Sequence, residues 1–341
     1  MATVSAKGPE PPGTTRPVQG PHSVEDCNFA LVHHWLLNMA GGERVCEALC
    51  ELLPIERIYT LFAEPDKLTP TLRSRRITTG FLQKIPLATK YHRLFVAAFP
   101  LAVESFDLRE YDIVISSDAG TAKGVLTLPE TFHVCYCHSP IRYAWNMTHE
   151  YSEGYGPITK AALSLIMHYL RLWDFSASAR VDHFIANSGA VRNRIIKYYR
   201  RNADVIYPPC NVEGMVPAEG CGEYYLCAGR LVGYKRFDLA VEAFNRNGLP
   251  LLVVGDGPEL NKLKAIAKKN VDFVGWVSAE ELASIYRGCR ALVFPGEEDF
   301  GIVPVEVQAC GRPVLALGKG GALESVISER TGLFFFRQTP E

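Results

Sequence analysis

Short apolar runs alternate with longer amphipathic stretches along most of this chain, and that alternation restricts the fold more than any other feature. FALVHH, ERIYTLFA, YDIVISSD, FHVCYCHS and DHFIANS read as strands in the first half. YYLCAGR, LPLLVVGDG, VDFVGWV, RALVFPG, RPVLALG and TGLFFFR repeat the scheme in the second. A strand apolar at successive positions is buried on both faces, as in parallel sheets covered by helices on each side. Stretches such as Gly42 to Leu53 and Thr159 to Trp173 carry the helical period that such covers need. Between the halves, YPPCNVEGMVPAEGCG has the proline and glycine density of a linker. The pattern predicts an α/β fold of two doubly wound, Rossmann-like domains, residues 23–204 and 223–341, joined by 205–222. Residues 1–22, rich in Pro, Gly and small polar types, read as a loose tail. A length of 341 residues suits two domains. Ligands of doubly wound sheets bind beyond the carboxyl ends of the strands, so the cleft between domains is the expected site.

Composition narrows the partners. A net charge of −1 excludes a globally basic nucleic-acid binder, so any electrostatic partner must meet a local patch. The apolar run Leu94 to Val103 is too short to span a bilayer. The N-terminus lacks the apolar core of a secretory signal. Ten cysteines without a CxxC read as reduced thiols of a cytosolic protein. Cys135 and Cys137 share one face of a strand, which suits packing better than metal.

The loops after the strands carry the chemistry. Arg230 and Lys235 follow YYLCAG, a fork and a mobile point charge suited to diphosphate, although a solvated loop fits them too. Gly255 and Gly257 end a strand in GxG, where backbone can approach a ligand; without GxGxxG this is a weak dinucleotide signal. Gly41 and Gly42 open a helix and leave free N–H groups, as a phosphate site or a plain turn would.

EEDFGIVPVE is more specific. Gly301 permits a tight turn and Pro304 is tolerated only in a first helical turn, so a helix should begin near Ile302 or Val303. Its free N–H groups form an anion site. Glu298 precedes the helix and Glu306 falls in its first turn on this reading. Two acceptor-only side chains flanking an anion hole suit a ligand with both phosphates and hydroxyls, such as a nucleotide sugar. Two glutamates merely supporting the helix dipole are the plainer alternative.

From about residue 28 onward the chain resembles a family 4 retaining glycosyltransferase of the GT-B fold. The matching residues are Gly41-Gly42-Glu43, His138, Gly229-Arg230 with Lys235, Val254-Gly255-Asp256-Gly257, and Glu298 with seven residues before Glu306, around Phe300-Gly301 and ahead of Gly311-Arg312-Pro313-Val314. The resemblance implies an N-terminal acceptor domain and a C-terminal donor domain. It places Arg230 and Lys235 on the diphosphate, Glu306 on the ribose, Glu298 on the transferred sugar and His138 near the anomeric centre. Phe300, Gly301, Ile302 and Val303 join the donor contacts, and VDFVGWV neighbours the base. It further implies same-face attack through an ion-pair-like state, without a protein nucleophile. No Asp-x-Asp occurs, so no metal or other cofactor is expected.

GIVPVEVQACGRPVLALGKGGALESV and CYCHSPIRYAWN resemble bacterial mannosyltransferases using GDP-mannose in exopolysaccharide or O-antigen assembly. A lipid-linked or free saccharide acceptor and a place on the inner face of the cell membrane follow from that resemblance. UDP-sugar donors, a nucleotide-sugar epimerase or hydrolase, and a silent binding module are the rival readings. Between Lys67 and Arg93, seven cations with no acid interleave with large apolar residues. Arg73, Arg75, Arg76, Phe81, Leu82 and Lys84 are the expected contacts to an anionic membrane or the acceptor. The stop after TGLFFFR leads us to expect exposed apolar groups near Leu333 to Phe336.

Overall fold

Every strand pairing in both sheets is parallel. The computed structural model describes residues 23–148, 154–217, 219–220 and 222–341, so the expected tail at 1–22 lies outside the described residues. The first sheet contains β1 (Phe29–His33), β2 (Ile55–Thr60), β3 (Arg76–Thr79), β4 (Ile113–Asp118), β5 (Phe132–Cys137), β6 (His183–Ala186) and β7 (Asp204–Val205), in the order β3-β2-β1-β4-β5-β6-β7. The second contains β8 (Tyr224–Ala228), β9 (Leu251–Val254), β10 (Val271–Phe273), β11 (Cys289–Phe294), β12 (Val314–Leu317) and β13 (Gly332–Phe335), in the order β10-β9-β8-β11-β12-β13. Both orders reverse direction once, between β1 and β4 and between β8 and β11. Crevices for ligands open at such switch points.

The apolar runs became strands because each buries side chains on two sides. In the first domain one cluster holds Ala30, Val32, Val114 and Phe99, and another on the opposite face holds Phe29, Leu31, Ile55 and Ile58. The second sheet divides the same way, with Leu226, Leu292 and Val314 on one side and Cys227, Val253 and Val293 on the other. Two strands escaped the periodicity. β3 carries only Ile77 as a large apolar residue, and β7 has two residues, so neither presents a run to detect. Because β7 ends at Val205, the first sheet extends one residue into the expected linker.

Five helices position the site: α1 (Gly41–Leu52), α2 (Pro157–Ser178), α3 (Gly189–Tyr199), α4 (Ala279–Gly288) and α5 (Ile302–Ala309). Cys135 and Cys137 are buried in one cluster with Phe184 and Ile195, as packing residues should be. The nine described cysteines are free. Leu333 and Phe336 are 54% and 70% exposed. Among the described residues, no helix is long and apolar enough to cross a membrane.

Segment 67–93 carries the residues expected to contact a membrane or the acceptor. It is a succession of short turns around β3, and two of its arginines have local work. The Arg73 guanidinium donates to the carbonyls of Pro65, Asp66 and Leu68, and Arg75 donates to the Cys50 carbonyl near the end of α1. Leu82 is a core residue. Arg73, Arg76, Phe81 and Lys84 stay exposed, joined by Leu87 and Leu94 at 68% and 80% exposure.

Candidate functional site

At the second switch point, the loops after β8 and β11 meet. Lys235 Nζ stands 2.6 Å from Glu298 Oε1, with both side chains mostly buried. The two residues assigned to diphosphate and sugar thus neutralise one another. Arg230 lies exposed on the same loop as Lys235. Gly255 and Gly257 are required by the packing of the loops themselves. A Cβ on Gly255 would come within 2.0 Å of the Gly229 carbonyl oxygen, and one on Gly257 within 2.3 Å of that of Leu231. Both glycines let the β9 loop pack against the Arg230 loop.

The turn into α5 matches its sequence signals. Gly301 adopts φ +88°, a left-handed conformation costly for residues with a Cβ, and the helix begins at Ile302 with Pro304 in its first turn. The N–H groups of Ile302 and Val303 have no partner within the helix. Glu306, however, is in the second turn, not the first. Its carboxylate faces α4, where Tyr286 donates to it at 2.9 Å, and burial raises its pKa. Tyr286 sits twenty residues away on another helix with no motif around it, so nothing in the sequence announces this partner.

Across the cleft, the first switch point presents α1. Gly41 approaches Ile302 so closely that a Cβ there would lie 3.2 Å from the Ile302 Cδ1, and one on Gly42 would meet His33 and His138. The starts of α1 and α5 thus face each other. Glu43 is buried, accepts from the Ala40 N–H at 3.1 Å, and is pushed up to about 7 by burial. His138 follows β5. Its Nε2 lies 2.8 Å from the Ser117 hydroxyl, and burial brings it down to about 4, leaving a neutral ring.

Polar contacts join the two sides. Arg194 on α3 pairs with Asp299 and, at 3.4 Å, with Glu297. Arg142 lies 3.6 Å from Asp299 and donates to the Glu297 carbonyl. Glu324 accepts from the N–H groups of Gly189 and Ala190, where α3 leaves them orphaned. Phe300 stacks on Tyr207, with ring centroids 5.3 Å apart. Sequence reasoning missed Arg142 and Arg194. Arg142 stands inside CYCHSPIRYAWN, four residues after His138, and was the more discoverable of the two. Further back, Lys123 is fully buried between Asp118 and Asp174, with Tyr199 and Trp145 also donating to Asp174. No group of His, Cys, Asp and Glu among the described residues is arranged to hold a metal ion.

Known proteins share this fold. The HepE protein of Anabaena, crystallised with UDP, superposes with a TM-score of 0.64 at 16% identity, covering 92% of this chain and 86% of that one. That likeness identifies the fold as GT-B. An uncharacterized glycosyltransferase of Methanocaldococcus jannaschii is 32% identical over 169 residues, 48% of each chain. D-inositol 3-phosphate glycosyltransferase of Mycobacteroides abscessus is 29% identical over 178 residues, 45% of this chain and 40% of that one. The matches span about half the length of these curated relatives. The pattern of glycosyl transferases group 1 matches residues 216–341, and that of Glycosyltransferase Family 4 matches residues 39–213. With the second pattern covering half of its length and the first most of the remainder, the chain belongs to glycosyltransferase family 4.

Proposed function

We propose that the protein moves a hexose, mannose from GDP-mannose, onto a saccharide acceptor with retention of configuration, in assembly of a bacterial surface polysaccharide. The observation that carries this reading is the meeting of Lys235, Glu298 and the start of α5 at one switch point, opposite His138 and the start of α1. Cleaving a glycosyl–phosphate bond builds negative charge on the diphosphate and positive charge on the sugar. Arg230, Lys235 and the free N–H groups of α5 are preorganised for the first of these. Glu306 takes the ribose hydroxyls and Glu298 those of the sugar. The leaving phosphate accepts the proton of the acceptor hydroxyl, so no protein nucleophile enters. Transfer needs no metal and survives a chelator.

The test is turnover of labelled GDP-mannose with a lipid extract. Label in a lipid-linked saccharide is the expected result. Free sugar or an epimer would replace transfer by hydrolysis or epimerisation, and binding without turnover would leave a silent module. A UDP-sugar donor is the second reading, favoured by the UDP bound to the HepE protein; parallel assays with UDP-glucose decide between them.

An anionic membrane surface is the proposed second partner. Its support is the exposed set Lys84, Leu87, Tyr91 and Leu94, with no Asp or Glu between Lys67 and Arg93. Each cation near an anionic leaflet contributes about 1 kcal/mol. Co-sedimentation with anionic vesicles should fall when Lys84, Leu87 and Leu94 are changed to Ser; unchanged binding removes the segment.

A further inference from the structure

The Ser117 hydroxyl, fully buried at the end of β4, stands between two imidazoles, 2.8 Å from His138 Nε2 and 3.1 Å from His33 Nδ1. Proton positions follow from the one partner that cannot donate. His33 Nδ1 lies 2.9 Å from the Ser117 carbonyl oxygen, which only accepts, so His33 carries its proton on Nδ1. The Ser117 hydroxyl shares that N–H as an acceptor and keeps its own proton for another group. Two groups compete for it, the neighbouring Cys46 sulfur and His138 Nε2. Sulfur is a weak acceptor and an imidazole lone pair a strong one, so the proton points at His138. A neutral ring that accepts at Nε2 holds its own proton at Nδ1.

We propose that Ser117 is a positioning residue that locks His138 as the Nδ1–H tautomer, making that ring a hydrogen-bond donor in the reaction and not a base. The inference rests on the active-site role given to His138 above. A base would have to take its proton at Nε2, where the Ser117 hydroxyl already sits. A donor at Nδ1 instead stabilises an oxygen that gains charge during transfer. The His33 ring that orients Ser117 is itself held by the backbone at Nδ1, and its buried Nε2 lies 4.0 Å from Glu43 Oε1. The line from Glu43 through His33 and Ser117 to His138 therefore joins the start of α1 to the cleft.

Nitrogen-15 spectra of the histidine rings read the tautomer directly, with the His138 signals identified by their loss in His138→Asn. The wild type should show His138 protonated at Nδ1. In Ser117→Ala that preference should vanish, with kcat falling roughly tenfold, the kinetic equivalent of one hydrogen bond, while the donor KM stays constant. A wild-type ring protonated at Nε2 overturns the proposal, and this needs no variant to fold. So does Ser117→Ala that keeps the Nδ1–H form, or that loses it with kcat unchanged. Undiminished transfer by His138→Asn would instead fault the catalytic reading of His138, with the wild-type tautomer still measured independently.

Discussion

Lys235 and Glu298 lie 2.6 Å apart, one on the loop after β8 and the other on the loop after β11, at the point where the strand order of the second sheet reverses. Each satisfies the other's charge where little water reaches. Lys235→Ala and Glu298→Ala should each lower transfer on the order of a hundredfold while the fold survives, because these loops contribute little packing. The double variant should lose far less than the product of the two. Additive losses in the cycle would show that the pair does not act as a unit.

Glu306→Ala should also remove most transfer, with the loss appearing chiefly in the donor KM. Tyr286→Phe tests the support beneath it. Without the 2.9 Å bond from Tyr286, the buried carboxylate loses a donor, and donor binding should weaken by about 1 kcal/mol. Calorimetric titration of the free nucleotide against both variants checks this. Normal binding by Glu306→Ala would sink the ribose assignment.

Lys123 should matter for stability. Burial alone would discharge it, but Asp118 and Asp174 outweigh burial and hold it charged. Lys123→Met leaves two carboxylates buried without their cation. Breaking such a group typically costs about 3–5 kcal/mol, which urea denaturation would detect. A variant as stable as the parent would mean that the carboxylates simply take up protons.

Glu43 makes stability depend on pH. Its folded value of about 7 exceeds the ordinary 4.5, so between those values the folded chain binds more protons than the unfolded one and stability falls as pH rises. Glu43→Gln removes that cost and should stabilise the protein on the order of 2 kcal/mol at about pH 8, with little gain at about pH 5. The buried His33 and the half-buried His138 act in the opposite sense. Burial lowers them to about 3 and about 4, so the wild type and the Gln variant should both weaken as pH drops below 6.5, the variant more steeply. Equal melting temperatures for the two forms at alkaline pH would refute the Glu43 assignment.

The sequence by itself determined the fold class, nearly every strand and the start of α5, because those features are local. Two-sided apolar runs demand covered parallel sheets, and a Gly three residues ahead of a Pro can open only one kind of helix. Those local signals also placed Glu298 and Lys235 on strand-end loops. What only the tertiary structure decided was which groups touch. The Lys235–Glu298 pair depends on β8 lying beside β11, and the Tyr286 donor to Glu306 depends on how α4 packs on α5. Arg73 and Arg75 read as free cations, yet they bond to backbone carbonyls brought near by packing. The close approach of a neighbouring loop to Gly255 and Gly257 is likewise written nowhere along the chain. Charge and residue type are written along the chain, but a partner is a distance in space, and that distance is set by how the sheets and helices pack.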